Sequence, residues 1–364
     1  MKVLMISIDK GLLGKGQLGD VIERHKKYGE FCDALDIIVF ATGKYDDYKI
    51  SDKVKSYATN SKSKLSYYFD AIGMAKKLFD KNKYDLIVTQ TPFVDGLVGW
   101  SLKKKFGAKL LVHFHGDFWN NKNWLRESKI NYLLLPLSKI VVKSADAIRV
   151  MSSGQKEKLG KYKSKARVIS TPVDLEKYQK CKQYNIETKN ILHIGRDDEV
   201  KDYDTLVKAF KIIKEKIGDV KFIQAGADKK IKEAMRENDF QDIEIKGRKS
   251  ADEIIDIYNN SNIFVLSSRS ESFGKVLVEA NACGRPVVST ATTGAKEIIE
   301  DSKNGFLVPI SDSEKLAEKI IYLLENPEKA KEIGENGRGI VNKIFGDNTD
   351  RIINFWQDII NNKL

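Results

Sequence analysis

Apolar residues fall in short runs along this chain, at residues 2–8 (KVLMISI), 35–40, 85–88, 109–113, 147–150, 191–194, 220–224, 243–245, 263–266, 287–288 and 305–308. Runs with so little polar alternation predict strands covered on both faces, as in a parallel sheet. Helical spacing lies between them over 19–28, 97–106, 128–143, 274–282 and from 203 onward, so strand and helix alternate throughout. Phe355, Trp356 and Ile359 are spaced for one face of a closing helix. The pattern predicts an α/β chain with doubly wound parallel sheets. At 364 residues it is long for one core, which predicts two domains. Periodicity fades after the strand that starts at residue 167, and this places the boundaries. A first domain is expected over 1–170, a linker over 171–188, a second domain over 189–345 and a final helical segment over 346–364.

The most informative stretch is 262–290, NIFVLSSRSESFGKVLVEANACGRPVVST. It predicts a buried strand over 263–266, a loop, a helix from about Gly274 to Ala282 stopped by Gly284 and Pro286, and a new strand at Val287 and Val288. Glu271 falls in the loop and Glu279 in the helix. On one helix their directions would differ by roughly 80°. With the first in the loop, both can converge at the helix mouth, where unpaired N–H groups and the helix dipole suit a phosphate. Glu279, roughly 8 Å along the helix, can accept hydrogen bonds from ligand hydroxyls. The plain alternative is two solvated surface charges.

Two other strand ends carry chemistry. The strand at 191–194 runs into Gly195 and Arg196, with Lys201 just before the next helix. Arg can clamp a phosphate through two donors while Lys acts as a point charge; a surface ion pair is the alternative. The strand at 109–113 delivers HFHGDFW, residues 113–119, and ligands of parallel sheets gather at such carboxyl ends. His113 reads as core and His115 as either structural or, at such a strand end, a site residue, with Trp119 and Trp124 either a stacking wall or packing.

The string ESFGKVLVEANACGRPVV, residues 271–288, resembles the Glu-x7-Glu segment of the retaining GT-B glycosyltransferases of family 4 (group 1), and G-R-x4-K at 195–201 is similar to the same family. The resemblance implies a GT-B fold, two Rossmann-like domains facing a cleft, with the terminal helix crossing back to the first. It implies retaining transfer of a hexosyl-type sugar from a nucleotide-diphosphate sugar donor to a glycan or lipid-linked acceptor, in cell-surface polysaccharide or glycoconjugate synthesis. By the same resemblance Arg196 and Lys201 hold the donor diphosphate, together with the helix mouth of Ser272, Phe273, Gly274, Lys275 and Val276. Glu271 holds sugar hydroxyls, Glu279 the ribose and His115 the transferred sugar. Gly195 closes the strand end and the loop with Arg248 surrounds the base. The family's glycine-rich first loop points to Gly14 and Gly16, although its adjacent Gly-Gly is missing here, and Ser170-Thr171-Pro172 stands where the family has Asn-Gly. No cofactor and no metal is implied.

Two motifs compete with that reading. Gly14-Lys15-Gly16-Gln17-Leu18-Gly19 satisfies the dinucleotide pattern G-x-G-x-x-G, but five residues separate it from its strand and the next strand ends in Ala41-Thr42-Gly43 without an acid. A flexible turn fits it as well. Asp202-Tyr203-Asp204 reads as D-x-D, for which capping of the following helix is the expected role.

Charge adds an asymmetry. Residues 1–180 hold 34 Lys and Arg against 19 Asp and Glu, a net +15, and the remainder holds 29 against 32, a net −3. This predicts an anionic partner for the first half, with Lys103–Lys105 and the tract 156–167 as candidates for contact with an anionic membrane surface. No nucleic-acid motif with interleaved aromatics is present, so nucleic acid is not an expected partner. No apolar run reaches the length of a membrane span. Cys32, Cys181 and Cys283 show no metal spacing and no disulfide framework, and the expected location is cytoplasmic, peripheral at the inner face of the membrane. The alternatives carried forward are a nucleotide-sugar epimerase of GT-B fold and a basic nucleic-acid-binding protein.

Overall fold

The computed structural model describes residues 1–14 and 20–363. It divides into two compact units, Met1–Ser170 with Asn348–Leu364, and Thr171–Asp347. In the first unit the order is β1 Lys2–Ser7, α1 Val21–Glu30, β2 Ala34–Val39, β3 Tyr48–Lys49, β4 Val54–Ala58, α2 Tyr67–Lys81, β5 Leu86–Thr89, α3 Val94–Phe106, β6 Lys109–Phe114, α4 Lys122–Glu127, α5 Asn131–Ser144, β7 Ala147–Val150, α6 Ser153–Lys158 and β8 Ala166–Val168. Its eight strands lie in the order β3-β4-β2-β1-β5-β6-β7-β8, parallel except for β3. The apolar runs correspond to the central strands. The apolar pattern misses β4, VKSYA, because it lies near the sheet edge and buries only alternate positions. Helices α2, α3 and α5 cover one face of this sheet.

The second unit continues with α7 Leu175–Gln179, β9 Asn190–Gly195, α8 Tyr203–Ile217, β10 Lys221–Gly226, α9 Lys229–Glu237, β11 Ile243–Ile245, α10 Ala251–Asn259, β12 Ile263–Leu266, α11 Lys275–Ala282, β13 Val287–Thr290, α12 Ala295–Ile298, β14 Gly305–Val308, α13 Ser313–Glu325 and α14 Pro327–Ile344. Its six parallel strands lie in the order β11-β10-β9-β12-β13-β14, so the winding reverses between β9 and β12. In open sheets of this kind the crevice at the carboxyl ends beside the reversal is where ligands bind.

The segment expected as a linker, 171–188, is instead folded into the second unit. It carries α7, the Lys182 amide donates to Asn259 Oδ1 at 2.7 Å, and the Lys182 carbonyl accepts from Arg285 at 3.1 Å. Arg285, 1 % exposed, also donates to the carbonyls of Tyr258 and Cys283, which is how a buried cation without a carboxylate is satisfied. Cys181 and Cys283, 102 positions apart, form a disulfide with Cα atoms 5.1 Å apart. The cysteine spacing did not reveal it, because the fold and not the sequence distance brings them together.

The final helix, α15 Thr349–Ile360, belongs to the first unit. Ile352, Phe355, Trp356 and Ile359 are fully buried in that unit's core. Trp356 meets Tyr28 edge-on at 5.7 Å, and Arg167 pairs with Asp358 at 2.6 Å. Among the described residues no helix is long and apolar enough to cross a membrane.

Candidate active site

The loop after β9 and the loop after β12 meet beside the winding reversal of the second unit. Lys201 Nζ lies 2.5 Å from Glu271 Oε1, and the Ser268 hydroxyl donates to the same oxygen at 2.9 Å. Backbone contacts hold the two loops in register: the Arg269 amide donates to Val200 O at 2.7 Å, and Ser267 Oγ donates to Lys201 O at 2.7 Å. Arg196 follows Gly195 at the end of β9, its carbonyl held by the Tyr203 hydroxyl at 2.8 Å. Its side chain is exposed and enters none of the ion pairs among the described residues. Its donors are therefore available to an anion.

Asp202 does not cap the following helix with its side chain, contrary to expectation. Its carboxylate is buried and bound by Arg269 at 2.6 Å and Ser311 at 2.8 Å. Asp204 pairs instead with Lys208 and Asn238. The two carboxylates of the D-x-D sequence thus serve separate internal contacts. Among the described residues no group of three or more His, Cys, Asp or Glu is placed to hold a metal ion.

Ser272, Phe273 and Gly274 lead into α11, with Gly274 in the left-handed region at φ 89° as its N-cap and Lys275 and Val276 in the first turn. The turn at Gly294 supports this loop from behind. The Gly294 amide donates to Glu271 O at 2.8 Å, and a Cβ on Gly294 would stand 2.4 Å from Phe273 O. Only glycine permits that approach. Phe273 is buried and packs on Phe345 at 5.6 Å.

Glu279, one turn further, is 7 % exposed. Tyr258 of α10 donates to Glu279 Oε2 at 3.4 Å, and Lys275 Nζ lies 3.6 Å from Oε1. Burial, and then the Glu279 carboxylate, hold the Tyr258 phenol well above its usual pKa, so it remains a donor. Arg248 is exposed on the loop after β11. The preceding Gly247 carbonyl accepts from the Gly226 amide at 2.7 Å, tying that loop to the end of β10.

In the first unit, His115 stands just beyond β6, its Nε2 3.3 Å from His113 Nδ1. Burial, then Arg149 and Arg24, push the His115 pKa well below the usual value, so it is a neutral imidazole at physiological pH. Arg149, buried within β7, donates to the carbonyls of Ile169 and Ser170 at 2.9 and 2.8 Å. His113 is core, as expected. Trp119 and Trp124 are also core: Trp119 donates to Ser138 Oγ at 2.8 Å, and Trp124 stacks on Phe93 at 5.4 Å, so neither is a free stacking wall. Gly14 closes a short turn at φ 72°, with the Tyr48 ring where a Cβ would go. Gly16 lies outside the described residues.

The supporting residues Ser268, Arg269, Tyr258 and Arg149 were not singled out from the sequence. Ser268 and Arg269 sit next to Glu271 and could have been suspected, whereas Tyr258 and Arg149 join their partners only through the fold.

The sequence and the fold of this chain have counterparts in known proteins. Residues 176–340 match the Glycosyl transferases group 1 family, and residues 33–177 match Glycosyltransferase Family 4. An uncharacterized glycosyltransferase of Methanocaldococcus jannaschii is 33 % identical over 75 % of this chain and 75 % of its own. This chain belongs to the group 1 glycosyltransferases. The capsular polysaccharide biosynthesis glycosyltransferase CapM of Staphylococcus aureus is 33 % identical over 50 % of this chain and 47 % of its own. The glycosyltransferase fold is GT-B: sucrose-phosphate synthase from Thermosynechococcus elongatus superposes with a TM-score of 0.80 at 21 % identity, over 100 % of this chain and 97 % of that one. Anabaena HepE in complex with UDP-glucose gives a TM-score of 0.75 at 19 % identity over 100 % of both chains.

Proposed function

We propose that this glycosyltransferase moves a sugar from a nucleotide-diphosphate sugar to a glycan or lipid-linked acceptor in polysaccharide or glycoconjugate synthesis, with retention and without a metal. The observation that carries the reading is the Lys201–Glu271 pair beside Arg196 and the mouth of α11. Departure of a nucleoside diphosphate places negative charge on a phosphate oxygen. Lys201, Arg196 and the N–H groups from Phe273 to Lys275 supply preorganised positive charge for it. Glu271 accepts from sugar hydroxyls, its orientation set by Lys201 and Ser268. Glu279 accepts from the ribose hydroxyls, with Tyr258 and Lys275 fixing its carboxylate. His115, neutral, exchanges a hydrogen bond with the transferred sugar.

In the reaction the anomeric carbon–phosphate oxygen bond breaks and a bond from the acceptor oxygen forms on the same face. The acceptor proton passes to the departing phosphate oxygen. None of the residues assigned here acts as a covalent nucleophile. The part of CapM in capsular polysaccharide biosynthesis supports the placing in polysaccharide synthesis, and the UDP-glucose complex of HepE supports the donor class. A cytoplasmic, membrane-peripheral location goes with a lipid-linked acceptor.

A thermal-shift screen against UDP, GDP and ADP and then their sugars tests the donor class. One nucleotide family should raise Tm in wild type and do so less in Glu279→Ala. No shift with any of them, in a folded protein, would refute the reading.

A further inference from the structure

The five most exposed large apolar side chains among the described residues are Leu65 at 90 %, Phe69 and Leu133 at 73 %, Tyr132 at 60 % and Ile130 at 56 %. All five lie in the first unit, where the chain enters α2 or passes from α4 into α5. Helices α2 and α5 pack on one face of the sheet, and each returns the chain from the carboxyl end of one strand to the amino end of the next parallel strand. Their first turns therefore stand at the carboxyl edge of that sheet, the edge that also bears His115 beyond β6. Single exposed apolar residues need no explanation, but the five most exposed falling on one edge do.

The edge is also cationic. Residues 62–70 and 122–133 hold Lys62, Lys64, Lys122, Arg126 and Lys129, all exposed, against Asp70 and Glu127. Along α5, Asn131, Ser138, Val141 and Val142 are buried, while Leu133, Pro136 and Ile140 form an outward stripe beside exposed Lys139 and Lys143. A helix on a globular surface ordinarily turns polar residues outward. Several of the lysines singled out by the sequence are otherwise employed. Lys103 donates to Ser144 O and Asp146, Lys104 lies 4.0 Å over the Trp100 ring, and Lys158 holds Asp117. Lys103–Lys105 end α3, at the opposite edge.

We infer that residues 62–69 and 122–133, with the outer stripe of α5, dock this unit on an anionic lipid bilayer, with Leu65, Phe69, Tyr132 and Leu133 among the headgroups and the cations over them. Apolar and basic side chains mixed on one surface match a bilayer interface, which offers acyl boundary and negative charge together. Two copies meeting through this edge would set like charges against each other. The inference deepens the proposed lipid-linked acceptor and rests on that reading, since docking would bring the edge bearing His115 to the plane of such a substrate.

Vesicle sedimentation tests it, with pure phosphatidylcholine against phosphatidylcholine mixed with phosphatidylglycerol. Wild type should pellet with the mixed vesicles at low salt and not with the neutral ones. The triple variant Leu65→Ser, Phe69→Ser, Leu133→Ser should lose about tenfold or more in partitioning, as should Lys62→Glu, Lys64→Glu, Lys129→Glu. Both should keep the nucleotide-induced thermal shift, which reports folding. Wild type that stays in the supernatant at low salt, or either variant binding like wild type, overturns the inference. So does a wild-type dimer in ultracentrifugation that the serine variant turns to monomer, because the edge would then belong to a second copy. Absence of a nucleotide shift in wild type that still docks would count against the donor reading alone.

Discussion

Lys201 Nζ stands 2.5 Å from Glu271 Oε1 although the residues are 70 positions apart. That contact ties the end of β9 to the loop after β12 and holds a cation and a carboxylate at the point where the sheet reverses its winding.

Arg196→Ala and Lys201→Ala should each lower kcat/KM by about a hundredfold to a thousandfold, because preorganised charge acts most strongly on charge that develops in the transition state. The variants should differ in stability. Arg196 is exposed and outside the ion pairs, so its loss should leave Tm unchanged; Lys201→Ala strips Glu271 of its cation and should lower Tm measurably. Wild-type turnover in either variant removes the assignment. EDTA should leave turnover intact; full loss restored by Mn²⁺ would contradict the metal-free reading.

Glu279→Ala should weaken nucleotide binding about tenfold or more, the cost of losing hydrogen bonds to a charged acceptor. His115→Ala should spare nucleotide affinity and lower transfer. Calorimetric titration with the nucleotide separates them. Equal loss of affinity in both would show that the division of roles between the two units is wrong.

Gly294→Ala puts a methyl group 2.4 Å from Phe273 O. It should displace the loop that leads into α11 and reduce kcat at least tenfold, since small misplacements of a site are costly. A variant with wild-type kcat would mean that the loop's position is not critical.

His25, His113 and His193, all buried, and the half-buried His115 predict acid sensitivity. The pKa of His25 and that of His193 are each pushed down to about 3, chiefly by burial, and those of His113 and His115 lie well below the usual value. These groups stay neutral when folded but take up protons when unfolded. Stability should therefore be flat above the unfolded pKa, about 6.5, and fall as pH drops through it, by up to about 1.4 kcal/mol per pH unit for each histidine. Asp95, whose pKa burial raises to about 6, acts oppositely and should offset one histidine between its folded value and the unfolded value near 3.9. Urea unfolding at pH 7.5 and 5.5 checks the sign; equal stability at both would refute it.

Trp356→Ala should destabilise the first unit by about 3–5 kcal/mol, the usual cost of emptying a fully buried aromatic site. Urea unfolding followed by circular dichroism measures this; a loss under about 1 kcal/mol would place α15 outside the core.

The sequence by itself determined the class of fold, because an apolar run covered on both faces and a helix of period 3.6 leave local signatures that need no tertiary knowledge. It also marked the candidate stretch, since Glu271, Glu279, Arg196 and Lys201 each lie within a few residues of a recognisable strand end or helix start. The tertiary structure alone decided which groups meet. Tyr258 reaches Glu279 from another helix, Cys181 reaches Cys283 across 102 positions, and α15 returns to the core of β1 and β2. It also decided what a charge is for. Local sequence marks Lys103 and Lys158 as a basic surface, but a lysine is drawn to whatever carboxylate or carbonyl the fold sets beside it, here Asp146 and Asp117. The exposed edge of Leu65, Phe69 and Leu133 was equally illegible, because an apolar side chain suits core and surface alike until packing shows which face has a partner.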